Sequence, residues 1–176
     1  GSFRDGMNSL KRQIQEADTG FKASVAGMKD WGNSLDGLKK NATALGDKVN
    51  LQKQIVEKYG SALNKSKTAL EQNSQKMQDN KAKLESARKA YEESAASIGK
   101  NADETKKLKE QVNEAQAAYD KSEKAVRNNN KSVEGYTVQL NSAKGKLKEF
   151  ESELDSANSK IAAFKWDELK TQVSGI

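Results

Sequence analysis

The stretch Tyr91-Glu-Glu-Ser-Ala-Ala-Ser-Ile98-Gly99-Lys-Asn101-Ala-Asp-Glu104-Thr105-Lys-Lys-Leu108-Lys-Glu-Gln-Val112 decides how this chain folds. Tyr91, Ile98, Thr105 and Val112 recur every seven residues, yet Gly99 and Asn101 fall between the second and third of them. Gly99 can close a helix as a C-terminal cap, and Asn101 with Glu104 has the spacing of a capping box, so the chain can turn here. Against that, the seven-residue phase passes from Ile98 to Thr105 unchanged, which a loop has no reason to preserve. The kept phase favours one continuous helix. An antiparallel helical hairpin or bundle turning near residues 98–101 is the alternative.

Working outward, the same column holds Met7, Ile14, Phe21, Met28, Leu35, Ala42, Val49, Val56, Leu63, Leu70, Met77 and Leu84 before this stretch, and Tyr119, Val126, Val133, Leu140, Leu147, Leu154 and Ile161 after it. Thr105 alone interrupts it. A companion column three residues later is apolar toward the ends (Leu10, Trp31, Leu38, Leu45, Tyr59, Ala143, Phe150, Ala157, Phe164) and polar through the middle, at Ser66, Asn73, Asn80, Ser94, Asn101, Ser122 and Asn129. The expected fold is all-α, with long heptad-patterned helices forming a coiled coil whose ends pack better than its middle. An apolar stripe of this length needs cover, because each large side chain left in water forgoes about 1.5–3 kcal/mol of burial. The cover is either another chain or a folded-back segment.

Composition agrees with extended helix. The 176 residues include no Pro, the residue that breaks helices, and no Cys or His. Without Cys there is no disulfide framework, thiolate nucleophile or zinc site of the sulfur type, and without His the commonest general base is missing. Seven of the 12 Gly lie within the first 46 residues, so that part should be the most hinged. The expected organisation is a cloning scar at residues 1–2, a Gly-rich amphipathic segment at 3–47, an extended coiled coil at 48–165 with a break at 98–101 if the chain turns, and a tail at 166–176. A further break could fall at Asn128-Asn129-Asn130, with Gly135 just beyond. The longest apolar run, Ile161 to Phe164, is far short of a membrane span.

Net charge is +6. Much of the excess follows one helical flank, at Lys39, Lys53, Lys67, Lys81, Arg88 and Lys109, which could contact an acidic partner or simply face water. In a parallel, in-register homomer Lys48 would face Lys53 and Lys83 would face Arg88, which weakens that arrangement. The adjacent carboxylates Glu92-Glu93, Asp103-Glu104 and Asp167-Glu168 diverge by about 100° on a helix and cannot converge on one ligand. No catalytic, cofactor-binding or metal-ligating set emerges, and no enzyme is expected. The polar Asn residues of the second column would fix register without naming a copy number.

The stretch Phe21-Lys-Ala-Ser-Val-Ala-Gly-Met-Lys-Asp-Trp31-Gly-Asn-Ser-Leu-Asp36-Gly37-Leu38-Lys39 resembles a recurring N-terminal signature of the tail tape measure proteins of long-tailed, siphovirus-type bacteriophages and prophages. Leu51-Gln-Lys-Gln-Ile-Val-Glu-Lys-Tyr59 and Gln139-Leu-Asn-Ser-Ala-Lys-Gly-Lys-Leu147 extend the resemblance from about Phe3 to Leu154. It implies a homo-oligomeric structural protein in the lumen of the virion tail tube. There its helical length sets tail length, after assembly chaperones coat it in the host cytoplasm, and the tail-tube protein is its neighbour. The physics supplies a ruler of its own, since one helix from Met7 to Ile161 would span about 230 Å at 1.5 Å per residue. Two other readings stand beside it: a basic coiled coil that binds nucleic acid, and an amphipathic protein that inserts its stripe into a membrane surface.

Overall fold

The computed structural model describes residues 1–175, and no strand occurs among them. Helix α1 spans Ser2–Val25, α2 spans Leu35–Ile98 and α3 spans Asp103–Ser174. A single 3₁₀ turn, Trp31–Asn33, joins α1 to α2. The Gly-rich opening is therefore hinged at one place, residues 26–34. No break appears at residue 47, where α2 is already under way, and α3 runs without interruption through Asn128-Asn129-Asn130 and Gly135. Trp166 to Ser174, expected as a separate tail, continues α3.

The second interruption, at residues 99–102, corrects the expectation of a continuous helix there. Gly99 adopts φ 92°, the left-handed conformation that favours glycine, and its N–H bonds to Ala95 O at 3.2 Å, ending α2. Ala102 N–H reaches Gly99 O at 3.4 Å, and Lys106 N–H then bonds to Ala102 O at 3.0 Å, so α3 starts from Ala102. The capping box expected of Asn101 and Glu104 does not form, because the N-cap position falls on Ala102, which has no side-chain acceptor, although Asp103 and Glu104 still place negative charge at the positive end of α3. The kept heptad phase did not require a continuous helix, because a four-residue turn can take up just over half a heptad without losing count.

The chain divides into two compact units, each built from parts of the two long helices. In the first, made of Gly1–Ser61 and the chain from Val138 onward, α1 runs antiparallel to the start of α2. The rings of Phe3 and Tyr59 meet edge to face at 5.9 Å, and Asp18 meets Lys48 at 2.9 Å. The end of α3 lies along the same part of α2, where Gln52 Nε2 donates to Ala143 O at 3.0 Å. This unit contains every buried apolar residue except Leu63, Leu84 and Val112. Val25 and Ile55, outside both columns, are buried here because three packed helices cover a wider face than two.

The second unit, Ala62–Thr137, is a two-helix antiparallel hairpin. Its arms are tied across the seam by Asn73 to Asn129 at 2.6 Å, Asn80 to Ser122 at 2.6 Å and Ser94 to Thr105 at 2.7 Å. Those pairs run in opposite order along the two helices, as an antiparallel seam requires.

Candidate functional site

Three surfaces stand out in the arrangement: the seam, the corner between α1 and α2, and the basic flank. Of the first column, Met7, Val49, Leu63, Leu84 and Val112 are buried, while Ile14, Phe21, Met28, Leu35, Val56, Leu70, Met77, Tyr91, Tyr119, Val126, Val133, Leu140, Leu147, Leu154 and Ile161 are half-buried. Ile98 departs from the column. At 52% exposure it sits at the end of α2, where the turn leaves no neighbouring arm to cover it. Thr105, the one polar residue of the column, is fully buried instead, with its hydroxyl bonded to Ser94 Oγ. Its isolation in the sequence marked it as an exception, and Ser94, eleven residues earlier in the companion column, held the unread signal.

Gln52 and Lys48 are the other polar groups that the sequence left without a role. Gln52, only 4% exposed, spends its amide on the backbone of α3. Lys48 bridges two neighbours: its ammonium meets Asp18 and lies 4.5 Å from the centroid of the Phe150 ring. Packing against the ring covers its stem and leaves its charge balanced.

The residues of the family-like stretch gather at the corner. Phe21 and Trp31 meet edge to face at 5.0 Å, Gly37 lies against Trp31, and Leu38 is buried. Ser34 caps α2 by accepting the Gly37 N–H at 3.3 Å. Asp30 and Asn33 are hydrogen-bonded across the 3₁₀ turn. Asp36 takes no part in this packing and pairs with Lys40 at the surface. The stretch is thus a folding element, an aromatic corner that turns α1 back onto α2.

All six basic residues of the flank, Lys39, Lys53, Lys67, Lys81, Arg88 and Lys109, are exposed, and none forms an ion pair among the described residues. Two have neutral partners: Arg88 donates to Gln116 Oε1 at 2.6 Å, and Lys109 lies 5.1 Å from the centroid of the Tyr91 ring. Within the first unit, a cleft of about 540 Å³ opens between α1, α2 and α3, with Ile14, Ile55, Val138 and Phe150 on its walls and Lys11 and Lys146 among its lining residues. Among the described residues no group of three or more His, Cys, Asp or Glu could hold a metal ion. Among the described residues, no helix is long and apolar enough to cross a membrane.

No protein-family model matches the sequence, and comparison with curated proteins and with solved structures gives no match. The reading of function therefore rests on the residues and their arrangement.

Proposed function

We propose that this chain is a structural, non-enzymatic segment of a phage tail tape measure protein, in which helix length is the working quantity. One observation carries the reading: the seven-residue spacing runs across the turn, from the packed Tyr91 to the packed Thr105 and Val112, with Ile98 in phase between them though exposed at the turn itself. If residues 99–102 became helical, the two seams would join into one stripe without a shift in register. A hairpin alone needs only that its two arms face each other, which a turn of another length with another phase would also allow. The aromatic corner at Phe21, Trp31 and Gly37, where the family-like stretch gathers, supports the same reading.

In this role the segment occupies the lumen of the tail tube as a homo-oligomer, with the tail-tube protein and assembly chaperones as its partners. It passes through the host cytoplasm during assembly. Each heptad contributes about 10 Å. Deleting four heptads in frame, two from each arm of the hairpin and symmetric about the turn, should shorten tails by about 40 Å in electron micrographs. Tails of unchanged length would overturn the proposal.

A second reading draws on the six exposed basic side chains that have no acidic partner. They suit a polyanion or an acidic protein face. Binding to duplex DNA that falls steeply with added salt would favour it over the ruler.

A further inference from the structure

Two hydrogen-bonded pairs of the hairpin share a centre. Asn73 with Asn129, and Asn80 with Ser122, are each placed symmetrically about Asn101. The other cross-arm contacts of this unit, Asn80 to Ala118, Arg88 to Gln116, Ser94 to Thr105 and Lys109 to Tyr91, centre between Gly99 and Ala102. Such a seam is as complementary to a second copy of the chain as to its own other arm, because the same paired residues meet whether the opposite arm comes from the same chain or from a copy.

We propose that two copies of this chain exchange arms through this seam: the turn at 99–102 becomes helical, and the copies pair antiparallel about a two-fold axis at Asn101. Asn73 of each chain then bonds Asn129 of the other, and Asn80 bonds Ser122 of the other. The cross-arm contacts are the same in the hairpin and in the exchanged pair, so they cancel between the two states. What decides the balance is the turn.

Three features of the turn favour exchange. The heptad phase crosses it unbroken, so the opened chain presents one continuous seam. Ile98, 52% exposed at the end of the hairpin, gains a neighbouring helix in the exchanged pair. Asn101, exposed in the turn, belongs to the same column as Asn73, Asn80 and Asn129, and on the axis it would face its own copy. An asparagine pair at a seam position is a known way to fix register and orientation. The hairpin gives Asn101 no such role.

The second unit is the more thinly packed of the two. Its buried apolar residues are Leu63, Leu84 and Val112, while the core of Met7, Leu38, Leu45, Val49, Tyr59 and Phe150 lies in the other unit. Exchange carries the end of α3 with it, so contacts such as Gln52 with Ala143 and Lys48 with Phe150 are also remade between chains, while α1 stays on the start of its own α2. The inference does not depend on the tape measure reading, since it concerns only how this chain meets itself.

The chain has no cysteine, so single introduced thiols report cleanly. Asn101→Cys should form a disulfide-linked dimer under mild oxidation several-fold faster than Lys131→Cys, an exposed position well away from the axis. Separately, Asn73→Cys with Asn129→Cys, joined by a short bismaleimide, reports which chain supplies the partner. Refolding at high protein concentration, followed by light scattering of unmodified chain, should give a dimer fraction, and in that fraction the 73–129 link should run between chains. A mass of one chain under all refolding conditions overturns the proposal. So does a dimer whose 73–129 link stays within each chain, which would mean association without exchange.

Discussion

Gly37 lies so close to Trp31 that a Cβ built on it would stand 2.4 Å from the Trp31 carbonyl oxygen and 2.7 Å from the Trp31 Cβ. Here glycine is required by contact, since its backbone is ordinary helix. Gly46, in the same helix, has nothing within 4 Å of the corresponding point. Gly37→Ala must therefore push the corner away from α2 and should cost about 1–3 kcal/mol. Gly46→Ala should gain about 1 kcal/mol from helix propensity. Urea denaturation of both variants tests the pair, and equal effects would show that the corner is not held by this contact.

Gly99 poses the opposite case, where the backbone and not the space makes the demand. Nothing lies within 4 Å of its missing Cβ, yet its φ of 92° is one that L residues pay about 1–2 kcal/mol to adopt. Gly99→Ala should therefore weaken the turn while strengthening a helical 99–102 by about 1 kcal/mol. Gly99→Asn should be tolerated better, because asparagine accepts the left-handed conformation. Sedimentation velocity should show more dimer for Gly99→Ala than for Gly99→Asn. The reverse order would remove the turn from any control over association.

The Asn73–Asn129 contact joins two half-buried amides at 2.6 Å across an otherwise thin seam. Replacing only one with Leu leaves the other amide facing an apolar neighbour, at a cost of about 1–2 kcal/mol. Replacing both with Leu should restore that loss and add burial of about 1.5 kcal/mol or more per side chain. The double variant should also lose register control and form mixed oligomers, since Asn at a seam position excludes competing pairings. A double-mutant cycle by thermal unfolding, with mass measured on each variant, checks both parts.

The periodic column made helix, and the rough division into well-packed ends and a thin middle, legible from the sequence alone. Leu38, Leu45, Tyr59, Phe150 and Ala157 are buried where the apolar ends of the second column placed them. Direction was not legible. Gly99 permits a turn and the heptad phase permits a rod, and the two differ only in whether the cover comes from the same chain or another, which no local pattern encodes. The roles of Gln52, Lys48 and Thr105 were hidden for a related reason. Each depends on a residue between 11 and 102 positions away (Thr105 on Ser94, Lys48 on Asp18 and Phe150, Gln52 on Ala143), and only the reversal of the chain brings those residues together. The corner was not legible in the stretch from Phe21 to Lys39, because Phe21 and Trp31 meet only once α1 folds back on α2.

Lys48 tests how much of the first unit rests on one charge. Its side chain is 12% exposed, whereas that of Asp18 is 48% exposed, so removing either partner leaves a different remainder. Asp18→Asn strands the better buried ammonium over the Phe150 ring and should cost about 1 kcal/mol, an effect reduced by salt. Lys48→Met leaves Asp18 in reach of water and keeps the packed stem against Phe150, so it should be close to neutral. Denaturation at low and high salt separates them. If Lys48→Met proves the more damaging, the ring contact and not the ion pair holds this position.

Hydrogen exchange should divide the long helices at different points from those where their secondary structure divides. Residues 38–59 of α2 carry Leu38, Leu45, Val49, Ile55 and Tyr59, all buried, whereas residues 66–98 of the same unbroken helix bury Leu84 alone. Local opening follows buried apolar contact more than helix length, because a helix in water is held by its packed face. Amides of 66–98 and of 103–137 should therefore exchange together and well before those of 38–59. They should slow in any dimer fraction, where the turn no longer frays. Uniform protection along α2 would mean that the polar pairs at Asn73, Asn80 and Ser94 hold the distal arms as firmly as the apolar core holds the proximal ones.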